Sequence, residues 1–132
     1  MKITVDTNVL VRLAVRDDEN QWRAAAQAME NAELVAISLS CLCEMVWVLK
    51  GFYRFSRQEI SRVLYSLLDA GNVVMNRAAV EAGLATLVAG GDFADGAIAY
   101  EGRWMGGEIF ASFDKKAVAL IAKQGEQAQL LS

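Results

Sequence analysis

Asp6, Glu44, Asp95 and Asp114 each stand where an apolar segment meets a helix start or inside an otherwise apolar helix, in a chain without histidine. Randomly scattered surface acids rarely fall that way, and the pattern points to carboxylates gathered at one edge of a sheet. Carboxylates in such a group repel one another and raise their own pKa values unless a hard cation, Mg²⁺ or Mn²⁺, lies among them on oxygen ligands. The chemistry this implies is metal-assisted attack of water on a phosphate ester. Absence of histidine excludes Ser-His-Asp and Cys-His mechanisms, histidine general bases and most zinc hydrolase designs.

Each acid also has an ordinary structural role open to it. Asp6, just before Thr7-Asn8, and Asp114, just before a lysine-rich helix, suit simple helix caps. Asp92 and Asp95 suit a cap and its third-position partner in a first turn, and for Asp92 that reading is preferred. Glu44 is different, because its neighbours Cys41, Leu42, Cys43, Met45, Val46, Trp47, Val48 and Leu49 are all apolar. The expectation is a helix buried nearly all round, in which an ionised carboxylate needs a positive partner.

The elements that must position these acids follow from pattern. Lys2–Asp6 is a β-branched strand, and Val9–Val15 and Glu19–Asn31 carry helical spacing. Glu33–Ser38 is a second strand, followed by a helix capped by Ser40 and ending near Gly51. Ser56 and Glu59 form a capping-box signature for a helix over Ile60–Leu68. Asn72–Met75 is a third strand, Ala78–Val88 a helix, and Asp92 opens another that stops at Gly106-Gly107. Glu108–Ser112 is a fourth strand, Lys115–Lys123 a last helix and Gln129–Leu131 a marginal fifth strand. Strands alternating with helices predict one α/β domain over residues 1–132 with a parallel sheet. Open parallel sheets bind ligands beyond the carboxyl ends of their strands, and right-handed crossovers, the rule in ~98 % of cases, would put the four acids on that rim.

Composition narrows the class further. With 55 % hydrophobic residues in 132, the chain is expected to bury an extensive core and to present an apolar oligomer interface. Its net charge of −3 gives no global attraction to nucleic acid, so such a partner must be held by a local basic patch acting with a cation. Cys41 and Cys43, two apart and without a Cys/His array, read as buried thiols in a reducing compartment. No leader signature and no apolar run near the ~20 residues of a membrane span occur, so a cytoplasmic location is expected.

The segments VDTNVLVR at 5–12, CEMVWVL around Glu44, GDFADGAIA at 91–99 and ASFDKKA at 111–117 together resemble the PIN-domain family, and more closely its VapC-type toxins of toxin–antitoxin pairs. The resemblance spans nearly the whole chain. It implies an α/β, PIN-like three-layer fold with a central, mainly parallel sheet of four or five strands flanked by about seven helices. It also implies that Asp6, Glu44, Asp95 and Asp114 are the catalytic quartet, binding one or two Mg²⁺ or Mn²⁺ ions for RNA cleavage. Asp92 would be an accessory acid, Ser112 a hydroxyl able to orient a carboxylate or water, and Asn8 polar support. A cognate antitoxin and a homodimer formed through the middle helices are further implications. RNA contacts are sought among Arg12, Arg16, Lys50, Arg54, Arg57, Arg103, Lys115 and Lys116, with Arg12, Arg54 and Lys115 foremost and Tyr53 or Trp104 for base stacking. Any one of these bases has a solvated surface role as its plain alternative.

Other functions place acids on similar folds. A phospho-receiver domain carries paired acids after its first strand and an aspartate after its third, whereas this chain has Asp6 alone and Asn76-Arg77 at those places. A haloacid-dehalogenase-like phosphatase needs an acid two residues beyond Asp6, where Asn8 stands. A PIN-like module that binds a partner without catalysis is the remaining alternative, and it predicts that Asp6→Asn or Asp95→Asn leaves the biological effect unchanged.

Overall fold

In a computed structural model describing residues 1–132, most of the helices begin on a short polar residue that leaves the backbone extended and caps the first turn. The chain divides into two compact units, Met1–Asn76 and Arg77–Ser132.

The first unit runs β1 (Lys2–Thr4), α1 (Thr7–Ala14), α2 (Glu19–Asn31), β2 (Leu34–Ala36), α3 (Leu39–Gly51), α4 (Arg57–Asp69) and β3 (Val73–Val74). Its strands form a parallel sheet in the order β1-β2-β3, with Ile3 opposite Val35 and Val35 opposite Val73. Parallel strands must be joined by crossovers, and helix pairs supply both of them here. Val35, Leu42, Met45, Leu49 and Leu64 are completely buried and Leu10 nearly so, and they make up the unit's interior. Asn72 donates from Nδ2 to the carbonyls of Met29 (2.8 Å) and Ala32 (3.0 Å), so the end of α2 and the approach to β3 are tied together. The expected capping box is present, with Ser56 and Glu59 each accepting the other's backbone amide. The cap of α3 is Ser38, which accepts the Cys41 amide at 3.1 Å, and not Ser40. Either serine could serve chemically; the cap falls to the one at which the backbone is still extended (φ −74°, ψ 153°).

The second unit runs α5 (Arg77–Val88), α6 (Phe93–Trp104), β4 (Phe110–Ser112), α7 (Lys115–Lys123) and β5 (Ala128–Leu130). β4 and β5 pair in parallel, Ala111 opposite Gln129, with α7 as the crossover. α5 and α6 approach closely because glycine lines the contact: a Cβ on Gly83 would lie 2.7 Å from the buried ring of Phe93. The fold is thus α/β with seven helices and parallel strands, as expected, the five strands pairing as a set of three and a set of two. No helix is long and apolar enough to cross a membrane.

Candidate functional site

Within the first unit Asp6 follows β1 with extended backbone and caps α1, its Oδ1 accepting the Val9 amide at 3.3 Å. The cap role and an exposed carboxylate coexist, since the cap engages Oδ1 alone. Thr7 donates its hydroxyl to Cys41 Sγ (3.8 Å), and Cys41 donates in turn to the Val5 carbonyl (3.8 Å). These contacts stitch the end of β1 and the start of α1 to the first turn of α3, one turn ahead of Glu44. Burial pushes the Cys41 thiol up, and the charges of Asp6 and Glu44 push it further, against an opposing hydrogen bond from Thr7. Asp6 and Glu44 therefore lie within electrostatic reach of one sulfur, and that sulfur stays protonated at neutral pH.

Glu44 itself is exposed, which overturns the expectation of a helix buried all round. α3 buries Cys41, Leu42, Met45, Val46 and Leu49, while Ser40, Glu44, Trp47 and Gly51 form a solvent face at helical spacing. Trp47 on that face is 76 % exposed, so its apolarity was no sign of burial, and the desolvation argument for a cation beside Glu44 falls. Asn8, exposed in the first turn of α1, lines a cavity of about 740 Å³ together with Asp6, Arg12 and Gln21. Arg12 is held there by Asp17 (2.8 Å) and by Tyr53 Oη (3.1 Å).

Within the second unit Asp95 occupies the first turn of α6 and is half-buried. Burial raises its pKa, and the charges of Asp92 and Asp114 raise it further. Asp92 stands at the N-cap position but its side chain makes no capping bond, so the preferred cap role is not the one it plays. Asp114 does cap its helix, Oδ1 accepting the amides of Lys116 (2.9 Å) and Ala117 (3.1 Å). Its own amide donates to Ser112 Oγ at 3.0 Å, so the expected supporting hydroxyl fixes the backbone of the acid rather than its carboxylate.

The structure thus groups Asp6 with Glu44 around Cys41, and Asp92 with Asp95 and Asp114; no three acids or cysteines stand close enough together to hold an ion by themselves. None of the chain's ion pairs engages Asp6, Glu44, Asp95 or Asp114. Of the basic candidates, Arg16 is paired with Glu19 and stacked 3.7 Å over Trp22, and Arg103 is paired with Glu126. Lys115 is exposed beside Asp114, and Arg54 is exposed in the left-handed region (φ 58°) just past α3. The Thr7–Cys41–Val5 contact joins residues far apart in the chain, and its only traces in the sequence are a threonine directly after Asp6 and a cysteine one turn before Glu44.

The sequence pattern of the family described as PIN domain matches residues 3–123. The chain belongs to the PIN domain family. Membership gives it a nuclease-type, hydrolytic function, and PIN domains generally use divalent metal ions. Among curated proteins none matches the chain. The donor chemistry of this PIN domain suits such an ion: Asp6, Glu44, Asp95 and Asp114 offer hard oxygen ligands outside the ion pairs, the buried thiol stays protonated, and the repulsion felt by Asp95 is the kind a divalent cation relieves.

Proposed function

We propose that this PIN domain, a single domain over residues 1–132, is a metal-dependent endoribonuclease and the toxin of a toxin–antitoxin pair, cleaving structured or single-stranded RNA. Asp6, Glu44, Asp95 and Asp114 serve as its metal-binding and catalytic acids for Mg²⁺ or Mn²⁺, with Asp92 as an accessory. The observation that carries this is the half-buried Asp95, held in the first turn of α6 against the like charges of Asp92 and Asp114. Bound at such acids, a divalent ion supplies water activation and stabilisation of charge on the phosphoryl and leaving oxygens. The protein's own part is geometry: the Ser112 hydroxyl and the two amides on Oδ1 hold Asp114 to one orientation, and partial burial keeps Asp95 less screened by water. Attack by water leaves 5′-phosphate and 3′-hydroxyl ends.

Arg12, Arg54 and Lys115 are the proposed phosphate contacts, and Trp104, 76 % exposed, offers a stacking face. Asn8 supports Asp6 across the same cavity. A cognate antitoxin silences the enzyme by placing a basic or aromatic segment among the acids, and the active form is a cytoplasmic homodimer. The test is cleavage of end-labelled RNA with Mn²⁺ and with a chelator, beside growth arrest on expression. Asp95→Asn is expected to lower cleavage on the order of 10²-fold or more, the scale for removing one electrostatic element of an active site, and to abolish arrest. Growth arrest that survives Asp95→Asn would instead establish a binding module without catalysis.

A further inference from the structure

Thr86, in the last turn of α5, is 1 % exposed and is the only polar side chain in the buried set. Its hydroxyl donates to the Ala82 carbonyl (3.2 Å) and accepts from Gln124 Nε2 (3.3 Å), the residue that ends α7. Its own carbonyl accepts the Gly91 amide at 2.9 Å. Two glycines make room around it. A Cβ on Gly96 would collide with Thr86 Oγ1 and with the Ala82 carbonyl, 2.6 Å away, and a Cβ on Gly91 would meet Thr86 Cγ2 at 3.0 Å and Leu120 of α7 at 2.5 Å. Asp92 and Asp95 lie between those glycines, and Asp114 heads the helix that carries Leu120 and Gln124.

We propose that Thr86 is a positioning residue for the acids of this unit: it seats residues 91–96 through Gly91 and Gly96, and latches α7 through Gln124, thereby setting the separation of Asp95 from Asp114. Leu120 against Gly91 is the fulcrum. α7 is a short rigid rod, so freeing the Gln124 amide lets the helix tilt about that contact and moves Asp114 at its opposite end. Local back-bonding to Ala82 alone would satisfy the Thr86 hydroxyl. The additional bond to Gln124 joins the two acid-bearing segments. This inference rests on the proposed metal-binding role of Asp95 and Asp114.

The experiment is calorimetric Mn²⁺ titration of the full chain and of Thr86→Val, Thr86→Ser and Gln124→Leu, each checked for folding by circular dichroism. Thr86→Val keeps the shape and removes the hydroxyl; Gln124→Leu breaks the same bond from the exposed side. Both are expected to weaken Mn²⁺ binding about tenfold, the scale for losing support behind a metal ligand, while Thr86→Ser stays within about twofold of the parent. Folded Thr86→Val and Gln124→Leu proteins that bind Mn²⁺ as tightly as the parent overturn the positioning role alone. A parent chain that takes up no Mn²⁺ removes the metal-site reading, and this inference with it.

Discussion

Gly96 and Gly102 lie on one helix, α6, yet alanine at the two positions should act in opposite directions. Replacing glycine by alanine inside a helix contributes roughly 0.5–1 kcal/mol through backbone entropy and helix propensity. At Gly102 nothing lies within 4 Å of the incoming methyl group, so that gain stands. At Gly96 the methyl group would sit 2.6 Å from the Ala82 carbonyl oxygen and 2.8 Å from Thr86 Cβ. Neither is the tip of a flexible side chain, so α5 as a whole must retreat, and overpacking of this kind costs about 1–3 kcal/mol. At central values of about 2 and about 0.75 kcal/mol the clash outweighs the propensity gain and leaves a net loss of roughly 1 kcal/mol. In a chain of this size that lowers the melting temperature by about 3–5 °C, whereas Gly102→Ala should hold it or raise it by a few degrees. Thermal unfolding followed by circular dichroism decides the matter. If Gly96→Ala melts at or above the parent, the close approach of α5 and α6 is not a constraint, and the argument that glycine seats Asp95 is refuted.

Phe93→Ala removes a 1 %-exposed ring from the α5–α6 contact and should cost about 3–5 kcal/mol, read from the urea midpoint; a loss under about 1 kcal/mol would mean that the ring is not packed as described. Ser56→Ala should cost about 1 kcal/mol through loss of the α4 cap, measured the same way. The Ser56 backbone amide, and then its side chain, hold Glu59 below the usual carboxylate range. Glu59 therefore contributes stability that is present above its unfolded pKa and lost as pH falls through the lower, folded value. Glu59→Gln should flatten that acid limb in a pH series of denaturation midpoints, and an unchanged limb would show that the capping box does not form in solution.

Much of the helical framework was legible because its signals are local. Glu19–Asn31 and Lys115–Lys123 have the bounds that periodicity and caps indicated, and the Ser56–Glu59 box forms as its spacing requires. Strands were overrun at their ends: Lys2–Asp6 shortens to Lys2–Thr4 and Asn72–Met75 to Val73–Val74. An apolar run marks a strand, but the ladder stops where its neighbour turns into a helix, and that depends on the partner. Ser38 in place of Ser40 at the head of α3 is the same lesson on a smaller scale.

The acids divide along that line. Asp6 and Asp114 announce themselves by position, because an acid between a strand and a helix can cap with one oxygen and keep the other out of the cap, and both of them do cap their helices. Glu44 misled, since the residues flanking it in sequence say nothing about which face of α3 meets solvent; only packing against neighbouring elements decides that. Repulsion among the acids was anticipated, but that partial burial singles out Asp95, and that Thr86 forms a junction, were not legible, for each depends on side chains brought together from separate helices: Asp114 toward Asp95, and Gln124 onto Thr86. Sequence fixed which residues carry charge and where helices begin, properties set within a few bonds of the chain. The tertiary structure alone decided burial and the distances between charges, which are the quantities that set a carboxylate's affinity for a proton or a cation.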